Sequence, residues 1–153
     1  MRFLSPTSHQ RLNEAVGVVL LAAAILLWLC LLSYHAQDAS WNTASGARPV
    51  NLIGPVGARL ADLGLQAFGL AAFTAPVLLL LLAWKWVRSS PFGAPAARIL
   101  GAVLFTMSAA TLASLAPGWR IFGGALPAGG LAGVLLAGWL TGLVNVAGAA
   151  IVA

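Results

Sequence analysis

Residues 15–32 read AVGVVLLAAAILLWLCLL, with no charged side chain among them. An uninterrupted apolar run of about 18 residues is long enough to cross a hydrocarbon core of about 30 Å as a helix. Three further runs have this character, at residues 67–83, 99–116 and 131–153. Lipid offers backbone amides no hydrogen-bond partner, so a chain that spans it must pair them internally. The expected fold is therefore an all-α membrane protein, a four-transmembrane-helix bundle. A polar N-terminal segment, residues 1–14, precedes spans at about 15–33, 56–87, 98–116 and 131–153.

The composition excludes most soluble classes. The chain is 61% hydrophobic and 7% charged, where a soluble domain is about 45–50% apolar and about 25% charged. The net charge of +5 comes from basic residues scattered over the loops, which is not the footprint of a nucleic-acid surface. Cys30 is the single cysteine, so no internal disulfide forms, and its place in the first run suits a small buried hydrophobe. That run exceeds the usual length of a signal-peptide core, and Tyr34 spoils the small-residue cleavage pattern after it, so it reads as an uncleaved anchor.

Ser5-Pro6 has the form of a helix start, with Ser as cap and Pro at the first helical position. Residues 34–54 are the longest polar stretch and read as a loop. The second helix is expected to begin near Pro55 and run about 32 residues, or about 48 Å, which overshoots the bilayer. Its first part is amphipathic, with Arg59 and Asp62 three residues apart on one face. Pro76 predicts a kink near residues 72–76. Trp84, Lys85, Trp86 and Arg88 form an interface anchor. The apolar, Gly- and Pro-rich loop 119–130 is expected at or in the interface.

Basic residues also set orientation, because cytoplasmic loops retain Lys and Arg. With the amino terminus inside, Arg2, Arg11, Lys85, Arg88 and Arg98 are cytoplasmic, and Arg48, Arg59 and Arg120 lie outside with Asp38 and Asp62. Four crossings return the carboxyl end to the cytoplasm. Ala153 closes the sequence while the fourth run is still apolar, without a basic anchor, so the chain is expected to be one domain of a longer protein.

The fourth span has the most specific pattern. Gly129/Gly133 and Gly138/Gly142 have GxxxG spacing, and steps of three or four place Gly138, Thr141, Gly142, Asn145, Gly148 and Ala149 on one face. Small residues permit close helix approach, and Asn145 can hydrogen-bond across it. The expected helix-packing face is thus Gly133, Gly138, Thr141, Gly142, Asn145 and Gly148. The motif does not distinguish packing within the bundle from packing against another subunit.

No catalytic apparatus is visible. His35 and Asp38 are too few for a metal site. There is no GxxxxGK[ST] phosphate loop, GxSxG, HExxH or CxxC. The span cores hold no ionisable side chain, which disfavours the alternative of a small helical transporter or channel subunit. The polar, Trp-bearing loop of Tyr34, Asp38, Ser40, Trp41 and Asn42 is the expected partner contact.

The stretch Leu31-Leu32-Ser33-Tyr34-His35-Ala36-Gln37-Asp38-Ala39-Ser40-Trp41-Asn42 resembles the Ser-Tyr-x-x-x-Asp-Pro-Ser-Trp pattern after the first span of FtsK/SpoIIIE-type DNA translocases. Asn51-x-x-Gly54-x-x-Gly57-Ala58-x-x-Ala61-Asp62, Trp84-x-Trp86-x-Arg88, Gly129-Gly130-x-x-Gly133 and Asn145-x-x-Gly148-Ala149 follow in that family's order. Ala39 departs from the family's proline. The family's linker, RecA-like motor and winged-helix domain are absent. The resemblance implies an N-terminal inner-membrane domain with both termini cytoplasmic, which anchors the translocase at the division septum. It also implies contact with other division proteins and help in forming a homo-oligomer. No cofactor is expected in this chain. The family's ATP and Mg, and its contact with DNA, belong to the absent motor.

Overall fold

The computed structural model describes residues 6–41, 43–90 and 93–153. Four helical segments are long and apolar enough to cross a membrane: Gln10–Leu32, Gly54–Val87, Pro95–Leu115 and Gly130–Val152. We label the first α1, the third α4 and the fourth α5. The second is broken into α2 (Gly54–Phe68), a 3-10 turn (Gly69–Phe73) and α3 (Thr74–Val87). A two-stranded hairpin, β1 (Arg120–Ile121) and β2 (Leu126–Pro127), lies between α4 and α5.

Helix α1 begins at Gln10 with His9 as cap, not at Pro6, which precedes it in an irregular segment. Asn13 explains the later start. It is fully buried, its Oδ1 accepts from the Thr7 amide at 2.7 Å, and its Nδ2 donates to Thr7 O at 2.8 Å and to Ser89 Oγ at 3.0 Å. One amide side chain thus ties the N-terminal segment to the loop that leaves α3. Ser5 and Arg2 lie outside the described residues.

Helices α1 and α3 run side by side. A Cβ on Gly17 would stand 2.9 Å from the Val87 amide and 3.1 Å from the Ala83 carbonyl, so only a glycine permits the approach. Toward the other end the Trp28 and Phe73 rings lie 5.4 Å apart. Trp28 is therefore a packing residue between helices. Helix α2 instead crosses the end of α1: Gly57 meets Cys30, Gly64 meets Leu31, and Tyr34 reaches Asp62. An amphipathic helix carried over the end of its neighbour resolves the excess length of the second segment. From Gly69 onward, five 3-10 residues and fourteen α-helical residues span about 31 Å, which matches the hydrocarbon core.

The break falls at Gly69, not at Pro76. Pro76 occupies the third position of α3, in the first turn after the 3-10 segment, where the fixed φ of proline suits a helix start. Gly69 sits at φ 58°, ψ −134°, a conformation open essentially to glycine alone. Residues 128–130 force it. A Cβ at Gly69 would overlap the Ala128 carbonyl, and one at Gly130, itself at φ 62°, would overlap the Gly69 and Phe68 amides. Leu70 N donates to that Ala128 carbonyl at 2.7 Å. Two glycine backbones in contact lock the hairpin loop into the broken helix.

The hairpin is therefore part of the core. Leu126 is buried in a cluster with Cys30, Leu31, Ala61, Leu65 and Ala72, and Ile121 and Phe122 pack against it. Arg120 closes the turn, donating from Nε to Gly124 O at 2.7 Å and from its terminal nitrogen to Ala125 O at 3.2 Å. Helices α4 and α5 pack together where Gly129 and Gly133 leave room for the Ala110 carbonyl and Ser114.

Candidate functional site

The α2 end of the bundle carries a structured polar cap. The last carbonyls of α1 have no partner within the helix. Asn51 supplies one: its Nδ2 donates to Cys30 O at 2.8 Å and to Ser33 O at 3.3 Å. Its Oδ1 accepts from Ile53 N at 3.1 Å. Ser33 Oγ accepts from Leu52 N at 3.0 Å. Asp38, only 7% exposed, accepts from the amides of Val50 at 2.8 Å and Asn51 at 2.9 Å, one on each oxygen. Residues that read as a structureless loop are thus pinned at both ends by side-chain-to-backbone bonds.

This places Asp38 as a clamp inside the loop, with one backbone amide on each carboxylate oxygen. Among the described residues no group of three or more metal-ligating side chains occurs. Trp41 is 80% exposed, and Val50 and Leu52 of the same loop are exposed as well. Ser40 N donates to Thr43 O at 3.0 Å, turning the chain beside it. Asn42 lies outside the described residues.

Tyr34 and Asp62 form the second part of the cap. The Tyr34 hydroxyl donates to Asp62 Oδ1 at 3.2 Å, which also accepts from Gln66 Nε2 at 2.8 Å. Asp62 is 4% exposed. Its partners are Tyr34 and Gln66, not Arg59, which is exposed; the amphipathic turn of α2 points the two charges apart. The Tyr34 ring stands edge-on to Phe122 with centroids 4.9 Å apart. The result is an open cleft of about 700 Å³ lined by Tyr34, Thr43, Asp62, Gln66, Pro127 and Leu131. The i, i+4 spacing of Asp62 and Gln66 is legible in the sequence, whereas their meeting with Tyr34 depends on α2 crossing α1.

Burial, then the neighbouring Asp62 carboxylate and the hydrogen bond to it, push the Tyr34 hydroxyl up to about 12 from about 10 for a free tyrosine. The folded state holds this proton more tightly than the unfolded chain. The stability it contributes is complete below about pH 10 and is lost as pH rises through about 12. Tyr34 is the only tyrosine, so tyrosinate absorption reports it alone. The expected midpoint is near 12, and Asp62→Asn should lower it; an unchanged midpoint in that variant would show that Asp62 does not hold the proton.

The expected glycine face divides into two. Gly133 packs within the bundle, against α4, where a Cβ would overlap the Ala110 carbonyl. Gly138 and Gly142 meet nothing within 4 Å. Thr141 turns its hydroxyl back to Ala137 O at 2.8 Å. Asn145 does not extend the face: it is non-helical, at φ 60° and ψ 173°, and its Oδ1 accepts from Val146 N at 2.7 Å. Gly148 then meets Val144 of its own helix. A break at Asn145 cancels the steps of three and four that would stack the positions on either side of it. Gly133→Leu should therefore cost about 3 kcal/mol or more through overpacking, while Gly142→Leu should leave the folded monomer within about 1 kcal/mol. Equal melting losses for the two in detergent would contradict this division.

Broken helix, packed hairpin and polar cap define a compact helical membrane domain with a preformed face at one end. The family model for the 4TM region of DNA translocase FtsK/SpoIIIE matches residues 9–153. The chain belongs to that family and is a multi-pass inner-membrane domain of FtsK-type proteins. It is 34% identical over 128 residues to the DNA translocase FtsK of Bradyrhizobium diazoefficiens, covering 82% of this chain and 15% of that protein. It is 37% identical over 81 residues to the Pseudomonas aeruginosa protein of the same name, covering 52% and 10%. With that of Rickettsia prowazekii it shares 34% over 105 residues, covering 67% and 14%. The chain thus spans 10–15% of the length of these relatives. No solved structure matches it.

Proposed function

We propose that this domain anchors and helps assemble a bacterial cell-division DNA translocase, tethering an ATP-driven chromosome-pumping motor to the septal membrane. The observation that carries the reading is the match of nearly the whole chain to the FtsK/SpoIIIE membrane region, together with the small share of its relatives' length that it spans. ATP, Mg and DNA contact then belong to the motor, and the membrane domain contributes position.

Both termini face the cytoplasm in this reading. Arg11, Lys85, Arg88 and Arg98 gather at the end where Asn13 meets Ser89, with Glu14 as the acid in their company. Arg48, Arg59 and Arg120 lie toward the capped end, with Asp38 and Asp62. That asymmetry favours the first end as cytoplasmic and turns the cap to the periplasm. There Tyr34, Ser40 and Trp41, on the loop that Asp38 clamps, offer a contact to other division proteins, and Asn42 follows them in the sequence. The open Gly138/Gly142 surface serves association with further copies of the chain.

Trp41→Ala in the full-length protein tests the periplasmic contact. An exposed aromatic costs little to remove from the fold but about tenfold or more in partner affinity if it anchors an interface. The expected outcome is normal membrane insertion with reduced septal fluorescence of a tagged protein. Undiminished recruitment would remove the loop from the contact.

A further inference from the structure

Helices α3 and α4 follow one another in the chain but do not close against each other along their lengths. They are stitched where Thr74 Oγ1 meets Thr106 Oγ1 at 2.9 Å. On both sides of that contact the seam is open. Toward the capped end it is a groove of about 790 Å³ reaching Trp119. Toward the basic end it is a groove of about 400 Å³ walled by leucines, Ile99 and Trp84. Leu78 and Leu81 line both, so the two grooves adjoin.

The chemistry changes at one end only. Lys85 and Arg98 line the mouth of the smaller groove, and the Arg88 guanidinium lies 4.2 Å from the centroid of the Trp84 ring in that wall. Two of the chain's three acids, Asp38 and Asp62, are held at the opposite end. An apolar slot closed at one mouth by cations matches a molecule with a long hydrocarbon tail and an anionic head.

We propose that the α3–α4 seam is a binding site for an anionic glycerophospholipid, with an acyl chain along Leu78 and Leu81 and the phosphate between Lys85 and Arg98. The site reads the lipid's charge through the two cations and its chain through the groove. It stands on the groove and its cations, and not on the proposed role at the septum.

Quenching of Trp84 by brominated lipid tests this directly. The protein is reconstituted in vesicles of zwitterionic phosphatidylcholine doped with brominated phosphatidylglycerol or brominated phosphatidylcholine. The Trp84 signal is the part of the fluorescence lost in Trp84→Phe. A cation near an anionic headgroup contributes about fivefold in affinity. Half-quenching should therefore need at least fivefold less brominated phosphatidylglycerol than phosphatidylcholine. Lys85→Gln with Arg98→Gln should abolish that preference, and Lys85→Arg with Arg98→Lys should keep it. Equal quenching by the two lipids in the native chain, or a preference that survives charge removal, overturns the site. So does the absence of quenching by either lipid together with α3–α4 cross-links between copies, which would assign the seam to a second chain. Circular dichroism of each variant in the same vesicles checks that the helices are intact.

Discussion

Gly69→Ala should unfold the centre of this domain more effectively than any change to its apolar surface. Two costs add. The backbone at φ 58°, ψ −134° is strained for any residue with a Cβ, by about 1–3 kcal/mol. The new methyl must also displace the Ala128 carbonyl, a backbone atom that cannot swing aside as a flexible side chain would, for about another 1–3 kcal/mol. About 4 kcal/mol is a large part of the about 5–15 kcal/mol that separates a typical folded domain from its unfolded state. Relief would require the hairpin to withdraw, breaking the Leu70 N to Ala128 O bond and pulling Leu126 out of the buried cluster. Gly130→Ala should act alike, because its Cβ meets the same junction from the other side. Gly101→Ala in α4, where nothing lies within 4 Å, is the control. Thermal unfolding in detergent should separate the first two variants from the third by more than 10 °C, and the Leu70 amide should lose its protection from exchange. If Gly69→Ala melted with Gly101→Ala, the locked junction would not contribute to stability.

Asp38→Ala should have the second-largest effect, confined to the cap. It removes two charge-assisted hydrogen bonds, each worth about 1.5–3 kcal/mol. The losses are unequal. Val50 is exposed and its freed amide takes water, while the Asn51 side is buried and its amide stays unpaired. A net cost of about 3 kcal/mol follows. Helices α1 and α3 share none of these bonds, so the effect is local opening rather than global unfolding. Chymotrypsin cleavage after Trp41 should rise severalfold in Asp38→Ala, with an intermediate rise in Asp38→Asn, whose amide oxygen retains one acceptor. Unchanged cleavage in both would show that the loop is held elsewhere. The prediction bears on function, because Trp41 is displayed by the segment this clamp shapes.

Local sequence is a sufficient guide where a property depends on a short segment and its solvent. Residues 15–32 and their three counterparts are too long and apolar for water, and lipid leaves an isolated segment no choice but helix. The spans, their number and a start near Pro55 are legible in this way, whereas α4 begins at Pro95, inside the stretch 89–97 that reads as a loop before a span opening at Arg98. The small residues at 129 and 133 likewise announce a close approach, though not its partner. Pro76 shows where such reading stops. Its chemistry disrupts a helix interior, but whether it stands in an interior depends on a break seven residues earlier, and that break is set by residues 128–130, far away in the chain. Asn145 is similar: its spacing assigns it to a packing face, yet its backbone leaves the helix and divides that face.

The sequence by itself determined that this protein is a four-span helical membrane domain, because hydrocarbon length and backbone satisfaction are local demands. The tertiary structure alone decided that α2 crosses α1, that the apolar loop 119–130 joins the core, and that Asp62 belongs to Tyr34. The physical reason is the range of the interactions. Hydrophobicity and helix formation act over one segment, whereas the contact of Gly69 with Gly130 and the bond from Tyr34 to Asp62 exist only after distant segments have met.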